Sequence, residues 1–181
     1  MKTEQVQEHF RVQVPAYAEL MQRLIPHYDL QRDVMVSLMP SDRDLPLRIL
    51  DLGCGPGVMA SRLAEDFPHA QLTLFDLTVE MIDRCESRLG GNPRVSFRVG
   101  DFREDDFGTG YDLILASLSL HHATLEERPA LAKRLFRGLV HGGRLGVGAQ
   151  ARAREVPLDA ARTNTLCIYV AREATSDIKD G

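Results

Sequence analysis

Apolar residues recur along this chain first at helical spacing and then at strand spacing. In residues 16–25, Tyr17, Leu20, Met21 and Leu24 share one helical face. Pro26 ends that run, and Asp29 stands where it can cap a second helix with Leu30, Val34 and Leu38 at steps of four. Pro40 stops this helix, and the polar residues 41–44 read as a short linker. From residue 47 short apolar runs alternate with amphipathic ones. The run 47–52 reads as a buried strand ending in Gly53-Cys54-Gly55-Pro56-Gly57, and Met59, Leu63 and Phe67 then mark a helix that Pro68 closes. Residues 71–75 form a second strand closing at Asp76. Thr78 caps a helix with Met81, Cys85 and Leu89 on one side, and Gly90-Gly91 offers a positive-φ ending.

Residues 95–99 alternate and end at Gly100-Asp101, while residues 111–117 are almost continuously apolar. Thr124 and Glu127 have capping-box spacing, opening a helix with Leu131 and Leu135 inward. Gly142-Gly143 then turns into a fifth strand over 144–149. Five strands separated by helices predict an α/β, doubly wound, mostly parallel sheet, because parallel neighbours need crossover connections. In such sheets ligands sit beyond the carboxyl ends of the strands, where strand order reverses. The chemistry is therefore expected just after each strand.

Composition narrows the classes. The chain has 181 residues, 44% hydrophobic and 27% charged, with a formal net charge of −4. That balance gives no footprint for a polyanion, so no nucleic-acid partner is expected. The arginines 152, 154, 162 and 172 are interspersed with Glu155, Asp159 and Glu173 and read as a solvated face. Cys54, Cys85 and Cys167 are odd in number and lack a C-x-x-C pair, which suits neither a disulfide framework nor zinc. No run has the length of a membrane span, and the first residues lack a signal peptide's apolar core. A cytoplasmic location without membrane partner is the expectation.

Three strand ends carry the candidate chemistry. After the first, Asp51 and the glycine turn let a backbone approach a ligand closely, with a helix N-terminus behind it. Asp76 closes the second, where a carboxylate accepts both hydroxyls of a ribose. Asp101 closes the third, placed to accept from an adenine amino group, with Phe102 and Leu77 able to flank the ring. Together they suit a nucleoside carrying a short tail.

These segments resemble the class I S-adenosylmethionine-dependent methyltransferases of small-molecule type, across residues 29–149. The resemblance rests on Ile49-Leu50-Asp51-Leu52-Gly53-Cys54-Gly55-Pro56-Gly57, Leu74-Phe75-Asp76-Leu77-Thr78 and Gly100-Asp101-Phe102. It extends over residues 111–117 followed by Leu120-His121-His122, and Gly142-Gly143-Arg144-Leu145. It implies a Rossmann-like fold binding S-adenosyl-L-methionine and releasing S-adenosyl-L-homocysteine. The implied cofactor positions are Asp51, Gly53, Cys54, Gly55 and Gly57 around the methionine part, Asp76 on the ribose, and Leu77, Met81, Asp101 and Phe102 around the adenine. Ser117, at the end of the fourth strand, would lie by the methionine part, with His122 close by. The implied activity is methyl transfer to an O, N or C nucleophile of a small-molecule acceptor by in-line displacement. The family has no universal catalytic residue, so none is assigned; Tyr17, Tyr28, His27 and His121 are candidates for acceptor contact.

Other readings stand beside these. A dinucleotide fingerprint needs a small residue where Val58 stands, and Asp101 favours the methyl donor. Asp51 alone could simply cap the turn, Cys54 could be only a small residue, and Met21, Met35, Met39, Met59 and Met81 suit a core. The two histidines have no third metal ligand at helical spacing, so no metal is expected.

Residues 1–46 read as a helical lid, 47–149 as the S-adenosylmethionine-binding core, and 150–181 as a C-terminal segment too short for the family's usual closing hairpin. A shortened or truncated chain is one expectation. The open fifth strand would need covering, by a second copy in a homo-oligomer or by residues 158–172 folding back as helix or short strand. A non-catalytic S-adenosylmethionine-binding module, and an RNA methyltransferase, remain the alternatives.

Overall fold

The computed structural model describes residues 28–37, 39–151 and 165–172. Eleven elements follow in order: α1 (Tyr28–Ser37), β1 (Arg48–Leu52), α2 (Val58–Asp66), β2 (Gln71–Asp76), α3 (Val79–Leu89), β3 (Val95–Val99), β4 (Tyr111–Ser117), a 3-10 turn (Leu120–His122), α4 (Arg128–Gly138), β5 (Leu139–Ala151) and β6 (Thr165–Arg172). The sheet order is β3-β2-β1-β4-β5-β6. The first five strands pair in parallel and β6 runs antiparallel to β5. The doubly wound expectation holds, and the order reverses between β1 and β4, which puts the switch point beside the glycine turn.

Because β1 and β4 are covered on both faces, they read as continuous apolar runs. Ile49, Leu72, Leu74, Leu113 and Leu115 pack towards α1, α2 and α3, with Leu63 and Phe67 buried among them. Leu50, Leu52, Phe75 and Ile114 face the other way, onto Leu131 and Leu135 of α4. The capping box forms: the Thr124 amide donates to Glu127 Oε2 at 2.7 Å, and the Glu127 amide donates to Thr124 Oγ1 at 3.3 Å. Thr78 Oγ1 accepts from the Met81 amide at 3.4 Å, so the expected cap of α3 forms too.

Four expectations need correction. In α1 the buried face is Gln31, Met35 and Val36, while Leu30 is 58% exposed. Asp29 lies inside the first turn, paired with Arg32, instead of capping the helix. Leu38 lies outside the described residues. The helix turns this way because Met35 seats its sulfur over the backbone of Gly148, where a Cβ would come within 2.8 Å. Gly90 ends α3 at φ −63°, not in the left-handed region; a side chain is excluded there by the Glu86 carbonyl, 2.5 Å from a Cβ position.

The fifth strand starts at Leu139, before the glycine pair. Its register against β4 jumps from Tyr111↔Leu139 to Leu113↔Arg144, so the extra residues around Gly142 (φ +77°) form a bulge within one strand. Beside the five expected parallel strands the sheet carries a sixth, β6, with Gly148↔Ile168 and Ala151↔Thr165 among the β5–β6 pairs. Of the expected fold-back over 158–172, residues 165–172 take the strand form and pair along β5.

The β3–β4 connection contains no helix. Arg134 of α4 braces it, donating to the Phe102 carbonyl at 2.9 Å, to the Arg103 carbonyl at 2.6 Å, and to the Asp105 carbonyl.

Candidate functional site

The turn after β1 is shaped by backbone hydrogen bonds across to β2. The Gly53 and Cys54 amides both donate to the Phe75 carbonyl, at 2.7 and 3.1 Å. Gly53, Gly55 and Gly57 have φ of 73°, 54° and 77°, a region that side chains resist. Space is as restrictive as conformation: a Cβ on Gly53 would meet Ser119 Cβ at 2.3 Å, and one on Gly57 would meet Cys85 Sγ at 2.9 Å. Cys54 and Cys85 are buried under the turn with their sulfurs 3.7 Å apart, and Cys85 Sγ donates to the Gly55 carbonyl at 3.1 Å.

Asp51 points into this region from the end of β1. It is 1% exposed, and neither carboxylate oxygen has a hydrogen-bond partner. Burial, and then the neighbouring Asp76 carboxylate, push its carboxyl up to about 7. A buried carboxylate left without donors is costly, and a cation brought beside it would relieve that cost. Simple turn-capping by Asp51 does not occur, since its oxygens accept nothing.

Asp76 does brace the turn. Its Oδ2 accepts from the Gly55 amide at 2.9 Å, and its Oδ1 accepts from the Thr78 amide at 3.1 Å and the Thr78 hydroxyl at 3.3 Å. Burial raises its carboxyl, and these donors oppose the rise. Asp101 is bound differently: Arg103 donates to it through Nε at 2.9 Å and through Nη2 at 2.6 Å. Partial burial works to raise the Asp101 carboxyl, but the Arg103 hydrogen bonds and charge outweigh it and hold it below the usual range.

Two adjoining cavities run along this edge. The larger is lined by Asp76, Leu77, Met81, Asp101, Phe102 and His122, with Arg103 and Ser119. The smaller holds Asp51, Cys54, Tyr28 and Arg32, with Pro56, Val58 and Met59. Gly53, Gly55, Ser117 and Leu118 border both. The structure thus brings all the expected cofactor positions to one trough except Gly57, which lies buried beneath it. His121 stays outside the lining and stacks on His122, ring centroids 4.0 Å apart. Burial, and then Arg128, lower the His121 imidazole pKa. Tyr28 reaches the smaller cavity, where burial raises its phenol. Tyr17 and His27 lie outside the described residues. No group of three or more His, Cys, Asp or Glu among the described residues is arranged to hold a metal ion.

Four lining residues have no sequence signal of their own. Arg32 looks like a solvated helix position, yet its side chain enters the smaller cavity with a buried Nε that has no partner. Arg103 is one of many charged loop residues. Leu118 takes φ +57°, the one non-glycine residue at positive φ among the described residues. Ser119 donates to the Leu52 carbonyl at 2.6 Å. Only the three-dimensional closeness of the β1 and β4 ends reveals the last two.

The sequence model of the family described as "Methyltransferase domain" matches residues 49–143. Malonyl-[acyl-carrier protein] O-methyltransferase 1 of Ilyobacter polytropus is 27% identical over 97 residues, covering 54% of this chain and 35% of that protein. Trans-aconitate 2-methyltransferase of Streptomyces avermitilis is 35% identical over 119 residues, covering 62% of this chain and 42% of that protein. The chain spans between 27% and 56% of the length of the curated relatives it matches. The DhpI-SAM-HEP complex superposes with a TM-score of 0.67 at 18% identity, covering 83% of this chain and 67% of that one, a likeness of fold.

Proposed function

This chain belongs to the methyltransferase domain family, and on that premise we propose that it binds S-adenosyl-L-methionine along the carboxyl edge of its sheet and passes the methyl group to a small-molecule acceptor. The observation that carries the reading is Asp51, whose two buried oxygens lack any donor and suit the α-ammonium of an amino acid. The unpaired Nε of Arg32, in the same cavity, suits the matching α-carboxylate. The larger cavity takes a nucleoside, with Asp76 at the ribose and Leu77, Met81 and Phe102 beside the base. Asp101 meets the adenine edge as a carboxylate already neutralised by Arg103.

When bound, the donor supplies a methyl group made electrophilic by its sulfonium. The chain's own residues then have an aligning task, worth on the order of 7–11 kcal/mol where orientation is good. Asp51 and Arg32 fix one end, Asp76 the other, and the apolar walls keep water out. A base is needed only for an acceptor that loses a proton on attack. His122, lining the cavity, and His121 stacked on it are the candidates, with the Tyr28 phenol as a hydrogen-bond donor to the acceptor. S-Adenosyl-L-homocysteine is the product.

Tyr28 and Arg32 line the smaller cavity, which supports reading α1 as part of a lid over the 47–149 core. A cytoplasmic location rests on the cysteine usage: Cys54, Cys85 and Cys167 are odd in number and lack a C-x-x-C pair, which suits a reducing compartment. Calorimetry with S-adenosyl-L-methionine and S-adenosyl-L-homocysteine tests the binding, and no heat with either would sink it. A transfer screen over small acceptors with labelled methyl donor then separates an enzyme from a module that only binds.

A further inference from the structure

Leu118 holds a conformation its residue type disfavours. Positive φ among the described residues otherwise occurs only at glycines, which lack the Cβ that makes the left-handed region costly. Two ties on opposite sides hold it there. Its own amide donates to the Gly148 carbonyl of β5 at 2.7 Å. Its neighbour Ser119 donates to the Leu52 carbonyl of β1 at 2.6 Å. Strained backbone of this kind persists where the surroundings over-determine it, and it concentrates at functional sites. If only a tight turn were required, glycine would serve with less strain. A leucine kept at this cost points to a use for its side chain.

That use follows from where it stands. Leu118 borders both the cavity of Asp76 and Phe102 and the cavity of Asp51 and Arg32. We propose that Leu118 is a positioning residue, an apolar wedge between the nucleoside half and the amino-acid half of the donor cleft. This rests on the reading of the cleft given above. The wedge lies where the two halves of the donor join, so it shapes the place from which the methyl group leaves. A ligand spanning both halves meets it on two sides, whereas a ligand confined to the nucleoside half meets it on one and should feel its loss far less.

The test compares Leu118→Ala, Leu118→Gly and Leu118→Met by calorimetric titration with S-adenosyl-L-homocysteine and with adenosine, and by thermal unfolding without ligand. The alanine and glycine variants are expected to bind S-adenosyl-L-homocysteine about tenfold more weakly, with adenosine affinity within about twofold of wild type. Methionine, of similar volume, should restore binding to within about threefold. The glycine variant should melt above the alanine variant by about 3 °C, because only glycine accepts the left-handed backbone freely. Equal losses for both ligands would reduce Leu118 to a structural residue and overturn the proposal. So would an alanine variant melting above the glycine one. Wild-type protein that ignores S-adenosyl-L-homocysteine sinks the reading of the cleft itself, while unchanged variants beside a binding wild type sink only the wedge.

Discussion

Gly53 and Ser119 approach so closely that a Cβ on the first would lie 2.3 Å from the Cβ of the second. The contact joins the end of β1 to the loop after β4 across the switch point, and the Ser119 hydroxyl on the Leu52 carbonyl fastens it. Gly53→Ala therefore combines a steric clash with an unfavourable φ of 73°. Destabilisation of about 1–3 kcal/mol is expected in urea unfolding, with donor binding weakened. Ser119→Gly in the same chain removes the opposing Cβ and should return part of the loss, a coupling of about 1 kcal/mol or more. Purely additive effects would show that the contact carries no energy.

Asp51 makes stability fall as pH rises. Its ordinary value is 3.8 and in the fold it stands at about 7. Below pH 3.8 folded and unfolded chains both hold the proton, and no penalty arises. Between 3.8 and about 7 the unfolded chain has released it while the folded chain still binds it, so each pH unit removes up to about 1.4 kcal/mol, at most about 4 in all. Above that window the loss is complete. Asp51→Asn should flatten the fall in melting temperature between pH 4 and 8; parallel curves for the two proteins would refute the assignment.

The same carboxyl sets the pH dependence of donor binding. An ammonium favours the ionised form, so binding below about 7 must expel a proton. Affinity for S-adenosyl-L-methionine should rise by up to about tenfold per pH unit towards that value and then level off. Titrations in buffers of different ionisation enthalpy would reveal the released proton, and pH-independent affinity would contradict the ammonium subsite.

Arg32→Lys keeps the charge but lacks the buried, unpaired Nε of a side chain that lines the cavity. Both Arg32→Lys and Arg32→Gln should weaken S-adenosyl-L-homocysteine by about tenfold and leave adenosine nearly unchanged. Full retention of affinity in the lysine variant would show that Arg32 does not grip a carboxylate through Nε.

Asp76→Ala removes the acceptor for the Gly55 amide, the Thr78 amide and the Thr78 hydroxyl at once. Stability should fall by about 1–3 kcal/mol, and affinity for both adenosine and the full donor by tenfold or more, about 1.4 kcal/mol. Asp76→Asn retains one acceptor oxygen and should fall between. Unchanged adenosine binding in the alanine variant would remove Asp76 from the sugar.

What the sequence made legible was local. The glycine turn, the strand ends at Asp51, Asp76 and Asp101, and the Thr124–Glu127 cap follow from patterns within a few residues, and the fold brings them where such patterns belong. The α1 face was misread because Leu30, Val34 and Leu38 obey helical spacing as well as Met35 does; packing of Met35 over Gly148 decides between them. The start of β5 was misplaced because Gly142-Gly143 resembles a turn, and only pairing with β4 turns it into a bulge. Arg32, Leu118 and Ser119 were missed for the same reason: their importance lies in closeness to residues far along the chain. Arg103 was hidden differently, since one arginine near a carboxylate is indistinguishable in sequence from any exposed loop cation.

The brace from Arg134 fastens the loop of Asp101 and Phe102 from about thirty residues downstream of it. A crossover helix would spread that duty over many amides, each expendable. Here one guanidinium fork answers three carbonyls, a geometry that an ammonium cannot reproduce. Divergence of α4 is consequently not free at this position: drift there would be felt first as a loosening of the loop that carries Asp101, Phe102 and Arg103.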